Sequence, residues 1–286
     1  VTAGARLREL LAGDELVVAP GAYDALTARL VEQAGFPAVY MTGAGTAAGL
    51  GYPDYGLLTM SEMADNVGRL AAAVRIPVIA DADTGYGNEL NVVRTVREYG
   101  LRGAAALHIE DQVSPKRCGH LDRKDVIGAA DFVSKVRAAA ENRADPDLVL
   151  IARTDAIAML GFDEAIARAN AALEAGADMA FVEAPQILEQ VEAIPRVVQG
   201  PCLLNVVAAG KTPEVGLDRA AELGYRLAIV PVLLLAAVVA AADEALAGLR
   251  RTGRHPDGVP PPPLGELFAR AGAGEWDEVR SRYHAG

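Results

Sequence analysis

The sequence predicts a (β/α)8 barrel. Eight short apolar segments alternate with helical patterns over about 230 residues, the span of such a barrel. Glycine or proline stands ahead of nearly every apolar segment, as breakers do between helix and strand. No glycine-rich dinucleotide loop follows the first strand, which disfavours the runner-up, a doubly wound open sheet.

Residues 1–13 read as a short amphipathic helix with Leu7, Leu10 and Leu11 on one side, ending near Gly13, and 16–19 as the first strand. Helices are expected to end at Gly35, Gly100, Gly176 and Gly224, because glycine suits the left-handed position just past a helix. Strands near 38–41, 104–109, 179–182 and 227–230 follow them. The strands near 78–80, 148–152 and 202–204 instead follow Pro77, Pro146 and Pro201. Helical faces are read from Met63, Val67, Leu70 and Val74, from Leu90, Val93 and Val96, and from Ile166, Ala169 and Leu173. Residues 227–242 carry no charge but are too short for a span of roughly 20 apolar residues, so they read as a last strand plus a buried or subunit-facing helix. Beyond residue 250 the chain turns rich in Gly, Pro and Arg. The barrel domain is therefore expected over 1–250, and a connector with one helical piece, 264–283, over 251–286. Trp276 in that piece is expected to be a packing anchor.

The composition narrows the function classes. The 286 residues are 51% hydrophobic and 23% charged, a globular rather than disordered profile. A net charge of −11 argues against a nucleic-acid partner, since phosphate binding needs a basic face. Cys118 and Cys202 imply no disulfide framework, and no basic segment with an apolar core marks a signal peptide. A soluble cytoplasmic protein is expected.

Asp81 and Asp83 follow the apolar run Val78-Ile79-Ala80, where a strand passes into its loop. Carboxylates two residues apart at a strand end can aim at one point, and oxygen donors without thiols suit a hard cation such as Mg²⁺ or Mn²⁺. Alone, such a pair could equally cap turns. Other strand ends carry His108-Ile109-Glu110-Asp111, Arg153-Thr154-Asp155, Glu183 and Asn205. Charged residues abutting five consecutive apolar runs argue for one shared polar site at the C-terminal barrel face.

The loop Ser114-Pro115-Lys116-Arg117-Cys118-Gly119-His120 flanks a thiol with cations that would lower its pKa, making Cys118 a candidate proton donor or nucleophile. Cys202 reads as a buried spectator. Lysine occurs only at 116, 124, 135 and 211, none inside an expected strand, which counts against a Schiff-base aldolase. His255 and His284 fall in the tail and are not expected to be catalytic.

Together, Asp81-Ala-Asp-Thr-Gly-Tyr-Gly, His108-Ile-Glu-Asp-Gln, Lys116-Arg-Cys-Gly-His, Ala152-Arg-Thr-Asp-Ala and Phe181-Val-Glu-Ala resemble the isocitrate lyase/phosphoenolpyruvate mutase superfamily from about residue 15 to about residue 235. The Lys-Arg-Cys-Gly-His loop marks the lyase branch, and the chain looks like methylisocitrate lyases. In Tyr23-Asp-Ala-Leu, Met41-Thr-Gly and Gly210-Lys-Thr-Pro it also looks like carboxyvinyl-carboxyphosphonate phosphorylmutases and dimethylmalate lyases. The resemblance implies a barrel whose last helix is exchanged within a dimer, usually in a homotetramer, with residues 232–242 suited to that exchange. It implies Asp81 as direct Mg²⁺ ligand, with Asp54, Asp83 and Glu110 holding the ion's waters. It further implies Thr42, Gly43, Ala44, Gly119, His120, Arg153 and Asn205 on a substrate carboxylate, and Cys118 as acid/base near Tyr40 and Glu183.

The implied reaction is Mg²⁺-dependent carbon–carbon cleavage of a 2-hydroxy di- or tricarboxylate into a 2-oxo acid and a carboxylate. Alternatives are phosphoryl rearrangement of a carboxyphosphonate, oxaloacetate decarboxylation, and a non-catalytic 2-oxo acid binder. Two departures bear on substrate. Val206-Val207-Ala208-Ala209 stands after the strand-7 Asn where many tricarboxylate lyases have a polar Thr-Glu stretch, and Thr42 replaces the Ser typical of methylisocitrate lyases. Apolar residues leave a buried alcohol or carboxylate unpaired, at roughly 1–3 kcal/mol, which favours a smaller or more apolar substrate.

Overall fold

A computed structural model describes residues 1–119, 125–208, 210–255 and 262–284. Eight parallel strands pair in sequence order and close: β1 (Val17–Ala22), β2 (Val39–Met41), β3 (Val78–Asp81), β4 (Ala106–Glu110), β5 (Val149–Thr154), β6 (Met179–Val182), β7 (Cys202–Asn205) and β8 (Leu227–Val230), with β8 returning to β1. The helices are α1 (Ala3–Ala12), α2 (Ala25–Gln33), α3 (Gly43–Gly49), α4 (Met60–Ala73), α5 (Glu89–Leu101), α6 (Ala129–Glu141), α7 (Ile157–Leu160), α8 (Phe162–Glu174), α9 (Leu188–Val197), α10 (Leu217–Leu223), α11 (Leu233–Thr252), α12 (Leu264–Arg270) and α13 (Ala273–Tyr283). The expected (β/α)8 barrel is present.

Strand alternation sorts side chains into two cores. Ile79, Ile151, Phe181, Leu203 and Ile229 fill the barrel, with Leu7 of α1 in the same cluster, while Val182, Leu204, Val191, Ile194 and Tyr225 pack strands against helices. The register places Asp81 beside His108 and Glu110 beside Arg153, so the polar residues at the strand ends form one tier. Polar caps start the helices. Asp24 and Thr59 each form a reciprocal box with the residue three on, and the Thr42 hydroxyl accepts from the Gly45 N–H to open α3.

Three expectations need correction. Gly100 lies inside α5, and the left-handed glycine after that helix is Gly103 at φ 92°. Leu90 is 75% exposed, because α5 buries Val92, Thr95, Val96 and Tyr99 instead. The stretch 264–283 is two helices broken at Gly272 (φ 95°), and Trp276 is 72% exposed rather than packed.

The chain forms two compact units, Val1–Leu233 and Leu234–Gly286. The first is the barrel. In the second, Gly248 and Gly272 are the only buried residues among those described, while Val238, Val239, Leu246 and Leu249 of α11 are about half or more exposed. No helix among the described residues is long and apolar enough to cross a membrane.

Candidate active site

One cavity of about 80 Å³ at the C-terminal barrel face gathers most of the expected residues. Tyr40, Thr42, Ala44, Asp54, Asp81, Cys118, Gly119, Arg153, Glu183 and Asn205 line it, together with Lys116, Val207, Pro231 and Val232. Gly43, Asp83 and Glu110 are not among its lining residues, and His120 lies outside the described residues.

Asp81 ends β3 and is held from several sides. Its Oδ1 accepts from the Asp83 N–H at 2.9 Å and lies 3.6 Å from His108 Nε2. Its Oδ2 accepts from the Gly43 N–H at 3.2 Å and from the Tyr40 hydroxyl at 3.4 Å. A Cβ on Gly43 would run into that same carboxylate, so only glycine allows α3 to start here. Asp83 and Tyr86 adopt left-handed backbone at φ 46° and 62°, uncommon for non-glycine residues and concentrated at functional sites. Behind the turn, Tyr99 donates to the Asp81 carbonyl at 3.1 Å and bonds the Tyr86 hydroxyl at 2.9 Å.

Lys116 is 4% exposed, and its ammonium joins Asp54 Oδ1 at 2.6 Å and Asp83 Oδ1 at 2.7 Å. Arg117 lies over the Tyr55 ring at 5.5 Å. Lys116 and Arg117, the two cations that precede Cys118 in sequence, therefore each have a partner of their own, while Lys116 also lines the cavity with Cys118. Gly119 packs so closely on Arg153 and Glu183 that a Cβ would come within 2.6 Å of both side chains.

Arg153 leaves β5 with its Nε and Nη2 bonded to the two Asp155 oxygens at 2.9 and 3.1 Å. Its Nη1 lies 3.2 Å from Glu110 Oε2 without hydrogen-bond geometry, and its guanidinium sits over the Phe181 ring. Asn205 donates to both Glu183 oxygens, at 3.3 and 3.2 Å.

Burial separates the protonation states of these groups. It would raise Asp81, but the His108 ring, Lys116, Arg153 and the Asp83 N–H overcome it and hold that carboxyl below the usual range. Burial dominates at Asp83, raising it to about 6 against Lys116, with Asp81 and Asp54 adding to the rise. Glu110 is pushed well up by burial despite Arg153. His108 is pulled down to about 4 by burial, so it is neutral at pH 7 and bonds the Tyr40 hydroxyl at 2.8 Å. Burial also raises Cys202 to about 12, in keeping with an inert thiol.

Both Glu110 oxygens are buried without a hydrogen bond. Buried carboxylate oxygens that lack a hydrogen-bond donor fit a cation or the waters around one. Among the described residues no three His, Cys, Asp or Glu side chains converge closely enough to hold an ion by themselves. The donor set thus fits one direct ligand supported through water. Sequence reasoning missed the role of Asp155, which orients Arg153, and the apolar wall of Pro231 and Val232. No acidic or cationic signature marks the latter two.

A family model described as phosphoenolpyruvate phosphomutase matches residues 7–250. The chain is 47% identical over 228 residues to 2,3-dimethylmalate lyase of Eubacterium barkeri, covering 79% of each chain. It is 44% identical over 254 residues to 2-methylisocitrate lyase of Aeropyrum pernix, covering 89% of this chain and 82% of that one. The structure of oxaloacetate acetylhydrolase in complex with the inhibitor 3,3-difluorooxalacetate superposes with a TM-score of 0.92 at 41% identity, over 98% of this chain and 96% of that one. With five motifs in order on a closed barrel and matches that cover most of its length, the chain belongs to the isocitrate lyase/phosphoenolpyruvate mutase superfamily, as an enzyme of the branch that holds the dimethylmalate lyases, methylisocitrate lyases and phosphorylmutases.

Proposed function

We propose that the protein is a Mg²⁺-dependent carbon–carbon lyase acting on a small 2-hydroxy dicarboxylate with alkyl substituents, of the 2,3-dimethylmalate class. The observation that carries this reading is the composition of one cavity. Asp81, Cys118 and Arg153 meet there with Thr42, Lys116, Glu183 and Asn205, and Val207, Pro231 and Val232 add an apolar part to the lining. A third carboxylate placed against those three residues would find no side-chain donor, whereas methyl groups would lose water favourably.

Asp81 would hold the ion directly, with Asp54, Asp83 and Glu110 on its waters, and Mn²⁺ could replace Mg²⁺. When bound, the ion would supply Lewis-acid polarisation of the 2-oxo fragment. Thr42, Gly43 and Ala44 at the start of α3 would orient a substrate carboxylate. Arg153, Gly119, His120 and Asn205 would receive the carboxylate whose charge spreads as the bond breaks. Cys118 would protonate the carbon left with the electron pair, with Tyr40 and Glu183 beside it. The exposed apolar residues of α11 support an assembly in which that helix is exchanged between subunits of a dimer within a tetramer.

The test is a panel of 2,3-dimethylmalate, malate and methylisocitrate with Mg²⁺ or EDTA, followed by release of pyruvate or glyoxylate. Fastest pyruvate release from 2,3-dimethylmalate, abolished by EDTA, is expected. Indifference to EDTA, or no oxo acid from any of the three, would overturn the reading. Phosphorus NMR of a carboxyphosphonate incubation would reveal a mutase instead.

A further inference from the structure

Behind the cavity wall, Arg153 rests on side chains that the proposed chemistry leaves unused. Asp155, which grips Arg153, is itself held. Its backbone N–H donates to Asp111 Oδ1 at 2.8 Å, and the Thr154 hydroxyl donates to Asp111 Oδ2 at 2.7 Å. Asp111 follows Glu110 directly and is fully buried, so one carboxylate ties together the outgoing ends of β4 and β5. Arg168 of α8, 5% exposed, donates its Nη1 to Asp111 Oδ2 at 3.1 Å and to the Ile127 carbonyl at 2.8 Å, and its Nε to Glu164 at 2.9 Å.

Ile127 is where the chain returns from the Cys118 loop. Its N–H donates to the Asp111 carbonyl at 2.9 Å, the Val113 N–H donates to the Asp125 carbonyl at 2.8 Å, and Gln112 bridges Val126 in antiparallel fashion. A guanidinium that does not line the cavity therefore touches two supports at once: the carboxylate that fixes Asp155, and the base of the loop that presents Cys118.

We propose that Arg168 is a positioning residue that sets Arg153 through Asp111 and Asp155 and pins the base of the Cys118 loop. The inference rests on the proposed active site. Without Arg168, Asp111 keeps only neutral donors, and a buried carboxylate stripped of its cation draws its neighbours toward itself. Arg153 then loses its set orientation, and displacements of about 1 Å can cost about a hundredfold in rate.

The test compares Arg168→Met, Arg168→Lys and Arg153→Met, with Arg143→Met as a structural control. Arg143 also pairs a part-buried aspartate, Asp178, which accepts from the Leu150 N–H below the strand ends, away from the site. The readouts are KM and kcat for 2,3-dimethylmalate, or its affinity by calorimetry if turnover is absent, and trypsin cleavage after the exposed Arg117 in ligand-free protein. Arg168→Met should lower kcat/KM about tenfold or more and speed that cleavage, with Arg168→Lys intermediate. Arg143→Met should lower thermal stability while leaving both readouts within about twofold of wild type.

If Arg168→Met behaves like Arg143→Met in both readouts while Arg153→Met lowers kcat or raises KM, the inference fails and the site reading stands. Should Arg153→Met itself leave kcat, KM and affinity unchanged, the site reading fails and the inference with it. If Arg168→Met does not fold, wild-type KM, kcat and cleavage in Arg168→Lys would overturn the inference, because one ammonium cannot meet both acceptors of Nη1 while also holding Glu164 as Nε does.

Discussion

At Gly43 a missing side chain matters more than any present one. Its N–H reaches Asp81 Oδ2 only because no Cβ intervenes. Gly43→Ala should therefore shift Asp81 and weaken Mn²⁺ binding about tenfold or more, read by the fraction of free Mn²⁺ in electron paramagnetic resonance. Cys118→Ser tests the proton donor. A general acid contributes about 10²–10⁴-fold, so turnover should fall by at least that lower figure while KM stays close to wild type. His108 supplies a pH test. Its folded value of about 4 lies below the unfolded value of about 6.5, so the unfolded chain takes the proton first on acidification. The stability it lends is complete above about pH 6.5 and is lost as pH falls towards 4. Asp83, raised to about 6, acts oppositely, its contribution fading as pH climbs from about 4 to 6. The ring of metal-free protein should keep neutral-imidazole nitrogen shifts at pH 5.5, and a protonated ring there would refute the burial argument. The carboxylates and Cys118 were legible because their residue types abut apolar runs. Where Lys116 and Arg117 point was not legible, since a loop imposes no period on its side chains.

Helix ends and faces follow local rules only as far as those rules reach. Gly35, Gly176 and Gly224 do take left-handed backbone just past their helices, at φ 87°, 108° and 97°. Gly100 did not, because α5 continues through it to a second glycine. The α5 face was misread for a related reason. Thr95 and Tyr99 are polar in type yet buried, their hydroxyls spent on the Gly85 and Asp81 carbonyls, so a purely apolar pattern misses them. Apolar periodicity is equally blind to helix starts, although Asp24-Ala-Leu-Thr27 and Thr59-Met-Ser-Glu62 have capping-box spacing. Removing the first cap tests its weight. Asp24→Ala leaves the Thr27 N–H without its 2.7 Å partner and should cost about 1 kcal/mol of barrel stability by urea titration, with activity retained.

For the whole molecule, the barrel was legible because eight strand patterns with breakers leave few alternatives, whereas no pattern in the sequence says what the last helices pack against. α11 is rich in Leu, Val and Ala, yet only Gly248 on it is buried, and Trp276 is exposed on the single chain. An amphipathic helix that leaves this much apolar area in water is stable when a second surface covers it. Val239 and Leu246, 52% and 64% exposed, are seven residues apart and so share one helical face. A charge placed there would have to be desolvated in an exchanged-helix assembly but would cost little on a free surface. Val239→Asp combined with Leu246→Asp should therefore lower the mass found by light scattering after gel filtration, while far-ultraviolet circular dichroism stays unchanged. An oligomer of unaltered mass in that double variant would mean that this face of α11 is not what joins the subunits.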